Sequence, residues 1–343
     1  MQFYNRLNIK EQSDLIDKSG KDRIVLSFYK YSYLGNPKIF RNYLYVKLSA
    51  IDVLGRIYIA SEGINAQISL PLENLPFLRN ELDKITFLKN IPLNYALVSE
   101  NKSFLKLTIK VKNKIVADGL ESQEIDLSKR GTYVDASEFN KLLEKKDTIC
   151  IDMRNHYESE VGHFKNAIIP DVDTFRESLP LIEKTFFNEK NDKNFLLYCT
   201  GGIRCEKASA YFKQKGFKKV FQMKGGIIEY ARQAREMKLE NKFKGINFVF
   251  DERKGERISK DVISNCHLCN ASCDSHVNCA NPACNLLFIQ CSDCSKTYDG
   301  CCSIDCQKII NLPYEKQKSL RKAKKNSHKV FKKGRSKALK YKT

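Results

Sequence analysis

Apolar and polar positions alternate with two different periods along the first hundred residues. After a polar lead-in, residues 24–29 form an apolar-rich run that reads as a strand. From Asn36-Pro37 to about residue 50, Phe40, Tyr43, Leu44 and Leu48 recur at helical spacing, with the asparagine–proline pair as a start signal. Residues 56–60 and 66–70 read as two strands around Glu62-Gly63-Ile64-Asn65. A second helix is predicted over about residues 72–85. Phe104, Leu105, Leu107, Ile109 and Val111 then give a last strand.

That order, β-α-β-β-α-β over residues 1–116, predicts a ferredoxin-like or acylphosphatase-like α+β sandwich. Residues 117–132 are polar and glycine-punctuated and read as a linker. Over residues 133–240 helices and strands alternate: a short helix at 137–144, a strand at 148–153, a strand ending in the apolar run Phe195-Leu196-Leu197-Tyr198, a helix at 205–215 and a strand at 219–222. Alternation of this kind predicts an α/β domain with a parallel sheet and helices on its faces. Residues 241–312 are a small Cys-rich segment with little apolar core, and residues 313–343 are a basic tail. The tail is so poor in apolar residues from Lys316 to Lys342 that it is expected to be disordered without a ligand.

Charge and cysteine content sharpen this division. The net charge is +20, and the stretch from Gln307 to Thr343 holds 14 Lys or Arg against the single acid Glu315. A terminal basic block points to a polyanionic partner, most simply a nucleic acid. No apolar run approaches the ~20 residues of a membrane span. The amino-terminal residues lack a signal-peptide core, so a cytoplasmic location is expected. In that reducing compartment thirteen cysteines speak for metal binding or catalysis over a disulfide framework.

The chemistry gathers at residues 199–205, Cys-Thr-Gly-Gly-Ile-Arg-Cys. The preceding strand brings Cys199 to the edge of the sheet. Gly201 and Gly202 let the backbone curl so that N–H groups point inward, and the following helix adds its positive end. Thr200, Ile203 and Arg204 complete the loop, Arg204 with a full charge. This environment favours a thiolate, making Cys199 the candidate nucleophile and Cys205 a candidate resolving thiol. The competing reading is a small buried cysteine before an ordinary glycine turn. Asp152 and Arg154, at a strand end, read as structural partners of Glu158 and nearby backbone, and His163 as structural.

Ten cysteines fall in the third segment. Cys266-x2-Cys269 and Cys291-x2-Cys294 have the spacing with which two thiolates chelate one tetrahedral ion. Cys273, Cys279, Cys284, Cys301, Cys302 and Cys306 supply further ligands, with His267 and His276 as additional donors. Two four-thiolate sites need eight of these ten. Structural zinc is the expected metal, since so small a segment needs a staple. An iron–sulfur cluster is the alternative.

The loop from Cys199 to Arg204 resembles the active-site loop of rhodaneses, which carry sulfur as a cysteine persulfide. The related cysteine phosphatases need a longer loop, with arginine where this chain has Cys205. Ile151-Asp152-Met153-Arg154 with Glu158, Gly162-His163-Phe164 and Asn166-Ala167-Ile168 resemble the rhodanese entry motif, and Lys224-Gly225-Gly226 its closing motif. Together with Ala60-Ser61-Glu62-Gly63-Ile64-Asn65-Ala66, the stretch from Cys199 through Glu206-Lys207-Ala208, the stretch from Asn278 to Phe288 and Asp299-Gly300-Cys301-Cys302, the chain resembles the bacterial rhodanese-related, oxygen-dependent tRNA uridine hydroxylases. That resemblance implies hydroxylation of the wobble uridine at carbon 5 with molecular oxygen, contact with the anticodon region of tRNA, and Cys199 as the active-site cysteine. It assigns no electron source. The sequence carries no Gly-rich dinucleotide fingerprint and no evident two-histidine-one-carboxylate iron site. A rhodanese-type sulfurtransferase and a non-catalytic tRNA-binding scaffold are the alternative functions.

Overall fold

The computed structural model describes residues 8–120, 125–323 and 332–333. It opens with helix α1 (Ile9–Ser19) where a polar lead-in was expected. The helix buries Gln12 and Ile16 on one face and is marked at both ends. Asn8 and Glu11 form a capping box, and Gly20 closes the helix in the left-handed region.

The amino-terminal sheet contains β1 (Arg23–Tyr31), β2 (Leu54–Ala60), β3 (Gly63–Pro71), β4 (Asn94–Tyr95) and β5 (Leu107–Val111), in the order β4-β1-β3-β2-β5. Helices α2 (Pro37–Ser49) and α3 (Leu75–Asp83) cover one face. On β3 the alternate residues Ile64, Ala66, Ile68 and Leu70 are fully buried against Leu44 and Leu48 of α2 and Leu78 and Leu82 of α3. Asn65 and Gln67 point the other way, as the two-residue period of a strand requires. The ferredoxin order is present in β4-β1-β3-β2, but its fourth strand is not the expected run at 104–111. It is the two-residue β4, which pairs only Leu26 with Tyr95 and Ser27 with Asn94. The predicted last strand begins later, at Leu107, and runs parallel to β2 at the opposite edge. A two-residue strand leaves no periodic signal, whereas β5 leaves a clear one. Phe104 instead packs with Ile16, Val25 and Leu54.

The second sheet is parallel, in the order β6-β10-β9-β7: β6 (Thr132–Val134), β7 (Thr148–Asp152), β9 (Asn194–Tyr198) and β10 (Lys219–Met223). Helices α4 (Ala136–Leu143) and α8 (Gly226–Glu236) pack on one face, and α6 (Phe175–Thr185) and α7 (Ile203–Gln214) on the other. Every residue of β9 is buried, which explains its unbroken apolar run. The stretch expected to be a linker is part of this body. Leu120 and Ile125 pack against its core, as does Val116 just before the stretch, and Asp118 is buried between Lys114 and Lys207.

The third segment is joined to the second by backbone and core. Strand β11 (Phe243–Asn247) pairs antiparallel with β8 (Gly162–Phe164), which follows the short helix α5 (His156–Ser159), and with β12 (Glu256–Arg257). Strands β13 (His276–Asn278) and β14 (Leu286–Ile289) form a hairpin, followed by α9 (Ser292–Thr297) and α10 (Ile304–Ile310). Tyr157 and Val161 share a small core with Phe248, Leu287 and Ile289. The expected disorder of the tail is corrected over α11 (Tyr314–Ala323), which Gln317 ties to the carbonyls of Ile310 and Leu312. Beyond it, β15 (Lys332–Lys333) lies parallel to β14. The rest of the basic tail lies outside the described residues. Among the described residues no helix is long and apolar enough to cross a membrane.

Candidate active site

Cys199 sits at the carboxyl end of the central strand β9, where the chain turns into α7. The Gly202 N–H donates to its sulfur at 3.2 Å. Gly202 has φ +95°, and a side chain there would meet the Tyr29 hydroxyl at 2.9 Å. Gly226, at φ +66°, lies so close that a Cβ would stand 2.4 Å from the Cys199 carbonyl, which accepts from the Ile227 N–H at 2.9 Å. The glycines of the loop and of the closing motif thus hold one another's backbones. Burial alone would push the Cys199 thiol up. The Cys205 hydrogen bond, the Arg204 charge and the N–H groups of residues 204 and 205 outweigh it and bring the thiol down to about 6. Cys205 moves the other way, well up, through burial and through its position beside Cys199. It therefore stands as a neutral donor to a Cys199 thiolate. Alkylation of Cys199 by iodoacetamide should rise with pH to a midpoint near 6 and then level off. Cys205→Ala should move that midpoint upward. A midpoint near the ~8.5 of an ordinary thiol would remove the case for an activated sulfur.

Arg204 is held from behind by Glu158 of α5, at 3.0 Å and 3.1 Å from its two terminal nitrogens. Asp152 and Arg154 bond nearby backbone as expected, the Arg154 N–H donating to Asp152 at 2.9 Å, but their charged partner is each other and not Glu158. Arg154 grips Asp152 at 2.6–3.1 Å and the Gly162 carbonyl at 2.6 Å, leaving Glu158 to Arg204. Each fully buried charge is matched by a neighbour in the fold, which sequence spacing does not reveal. His163 lies on β8 with its Nδ1 3.0 Å from the Phe164 carbonyl.

The sulfur lines a cleft of about 380 Å³. Its floor is the loop, including Thr200, Gly201, Ile203 and Arg204. Its roof is the face of the amino-terminal sheet opposite α2 and α3, and a side wall comes from Val249, Phe250 and Arg253. Two polar clusters hold roof to floor. Glu206, directly after Cys205, accepts from the hydroxyls of Tyr29 and Tyr133 and from Arg130. Lys207 joins Glu62, in the turn between β2 and β3, to Asp118. The remaining Glu62 oxygen accepts from the Ile115 N–H at 2.7 Å. Sequence reasoning gave no role to Glu62, Glu206 or Lys207. The available signal was a Glu-Lys pair directly after the loop, followed by the small residues Ala208, Ser209 and Ala210.

The cysteines of the third segment form two quartets, Cys266, Cys269, Cys291 and Cys294, and Cys279, Cys284, Cys302 and Cys306, each with its sulfurs within 4.8 Å of one another. Neighbouring sulfurs stand 3.6 Å (Cys269–Cys291), 3.7 Å (Cys284–Cys302) and 3.9 Å (Cys302–Cys306) apart. Four sulfurs at ~2.3 Å from one tetrahedral ion would be separated by about 3.8 Å, so either quartet could hold a metal ion. Backbone N–H groups of Cys291 and Cys302 point at the sulfurs of Cys266 and Cys279. Cys273 and Cys301 fall outside both quartets. His267 reaches instead to Glu160 of the second domain, at 2.8 Å, and His276 packs edge-on against Phe248.

Three family models match in succession: the UPF0176 acylphosphatase like domain over residues 23–115, the rhodanese-like domain over residues 135–233 and the rhodanase C-terminal model over residues 244–307. The chain is 50% identical to the tRNA uridine(34) hydroxylase of Photorhabdus laumondii over 334 residues, 97% of this chain and 95% of that one. It is 50% identical to the protein of that name from Leptospira interrogans over 320 residues, 93% and 87% of the two chains. The corresponding protein of Pectobacterium carotovorum is 49% identical over 334 residues, 97% and 94%. Sharing about half its residues with these proteins over nearly its whole length, the chain belongs to the tRNA uridine(34) hydroxylase family.

Proposed function

We propose that this protein hydroxylates carbon 5 of the wobble uridine in the anticodon loop of tRNA, with molecular oxygen as co-substrate and Cys199 as the group that activates the base. One observation carries this reading: a sulfur whose ionisation is brought down to about 6 opens into a cleft large enough for a single base. Such a cleft suits a nucleotide splayed out of a loop, which is how enzymes reach base atoms. Addition of the thiolate to carbon 6 places the released electron pair on carbon 5. One oxygen atom of O2 is then bonded to carbon 5 and the other leaves as water, with two electrons and two protons drawn from an external reductant. Loss of the carbon 5 proton and departure of the thiolate restore the pyrimidine and Cys199. Arg204, anchored by Glu158, keeps positive charge beside the sulfur throughout.

The two cysteine quartets fit zinc, one ion each. The ions would supply folding energy to a segment with little core and stand apart from the reaction. The basic carboxyl-terminal residues contact tRNA phosphates and position the substrate without reading its sequence.

Nucleoside analysis of tRNA from cells lacking the protein tests the reading. Loss of 5-hydroxyuridine, restored by the intact gene, is the expected result, and growth under 18O2 should place the heavy isotope in the new hydroxyl. Loss of a thiolated nucleoside would instead make the protein a sulfurtransferase carrying a Cys199 persulfide. No change in tRNA would leave only a scaffold.

A further inference from the structure

The roof of the cleft carries groups that the thiolate chemistry leaves unused. On the face opposite α2 and α3 the side chains fall into two cross-strand rows. The register aligns Tyr29 with Asn65 and Asn65 with Tyr58, then Ser27 with Gln67 and Gln67 with Arg56. All six residues line the cleft that contains Cys199. Most are already committed. The Tyr29 hydroxyl bonds to Glu206, and Arg56 donates to the Phe250 carbonyl at 2.7 Å. The two amides are oriented by a relay. The Ile115 carbonyl can only accept, so Asn65 turns its nitrogen toward it, at 3.3 Å. The Asn65 oxygen then accepts from the Gln67 nitrogen. No described residue donates to the Gln67 oxygen, which is left as an acceptor on the wall of the cleft. Beside it on the adjacent strand stands Tyr58, half-buried, with the Lys112 ammonium 5.9 Å from its ring centroid.

We propose that Gln67 reads the target base, its amide oxygen accepting the N3–H of uracil while Tyr58 stacks on the ring. The proposal rests on the uridine hydroxylase reading above and names the residues that make it specific. In uracil, N3 lies across the ring from carbon 6. With carbon 6 at the Cys199 sulfur, the N3–H points at the opposite wall, where an oriented acceptor waits. Cytosine has a lone pair at N3, so the same wall would set acceptor against acceptor. Because the relay ends on a backbone carbonyl, Gln67 cannot reverse its amide without losing its bond to Asn65 or, if Asn65 reverses with it, the Asn65 bond to Ile115. Splayed-out bases are commonly held in this way, by an aromatic face and by hydrogen bonds to the Watson–Crick edge.

The test uses the full-length protein and an anticodon stem-loop RNA bearing either uridine or 3-methyluridine at the wobble position. The unaltered protein should bind the uridine loop about tenfold more tightly, because methylation removes the N3–H and fills its place. Gln67→Ala and the shape-retaining Gln67→Met should bind both loops within about twofold of one another, with the Cys199 alkylation midpoint unchanged as evidence of an intact site. Tyr58→Ala should weaken both loops equally, by about fivefold to a hundredfold, and Tyr58→Phe should not. Equal binding of the two loops by the unaltered protein would overturn the proposal. So would a wild-type preference retained in both Gln67 variants, or one lost only together with the Cys199 midpoint. These results leave the hydroxylase reading standing. An intact protein that binds neither loop and restores no 5-hydroxyuridine would overturn both.

Discussion

Cells carrying Cys199→Ser in place of the native gene should contain essentially no 5-hydroxyuridine in their tRNA, and the single-turnover rate of the purified variant should fall by at least about 10³-fold. The substitution is conservative in every respect except ionisation. Cys199 is 1% exposed, serine nearly retains its volume, and the Gly202 N–H that points at the sulfur can donate to a hydroxyl instead. A serine hydroxyl is not ionised by the Arg204 charge and the surrounding N–H groups at neutral pH, so the group that adds to the base is gone while the cleft remains. Circular dichroism and the thermal midpoint should stay close to those of the native protein. Tyr29, Glu62, Glu206 and Lys207 hold roof to floor without involving the sulfur. Restoration of normal 5-hydroxyuridine by the serine variant would show that Cys199 is not the reacting group.

The second large effect is expected far from the cleft. Cys291→Ser removes one thiolate from the first quartet and also the sulfur that caps α9, where it accepts from the Cys294 N–H. Elemental analysis should fall from about two metal ions per chain to about one, because a four-thiolate site contributes on the order of 10 kcal/mol or more of local folding energy that three thiolates do not retain. Treated as a separate unit, the Cys-rich segment would then unfold alone. The shared core of Tyr157, Val161, Phe248, Leu287 and Ile289 says otherwise. Tyr157 adjoins Glu158, which anchors Arg204, and His267 crosses to Glu160 on the same stretch. Loss of the quartet should therefore raise the Cys199 alkylation midpoint as well as expose residues 260–310 to trypsin. Native metal content with unchanged proteolysis would rule out a structural role for the quartet. Normal alkylation in a segment shown to be unfolded would mean that the two bodies are independent after all.

Much of this architecture was written locally. The alternation of Ile64, Ala66, Ile68 and Leu70 places β3, the unbroken apolar run of β9 marks a strand covered on both faces, and the cysteine–glycine loop announces a candidate nucleophile, because each signal lies within one element and one period. The two x2 knuckle pairs announce metal-type spacing for the same reason. Length two left β4 without a period to read. The selection of eight sulfurs out of ten belongs to the fold, since Cys273 and Cys301 have the same chemistry as their neighbours and differ only in where the chain carries them.

Sequence alone thus determined which residue types were available: a cysteine before a curled loop and an arginine after it, a thiolate-rich segment, and strands with one polar face. Tertiary structure decided what those residues face. It turned the polar side of the amino-terminal sheet toward Cys199, gave Arg204 to Glu158 and Arg154 to Asp152, and placed Lys207 between Glu62 and Asp118. Periodicity specifies the direction of a side chain relative to its own element. A buried charge or an open cleft depends on partners distant in the chain, and these are chosen only when the elements pack and every desolvated group must find its match.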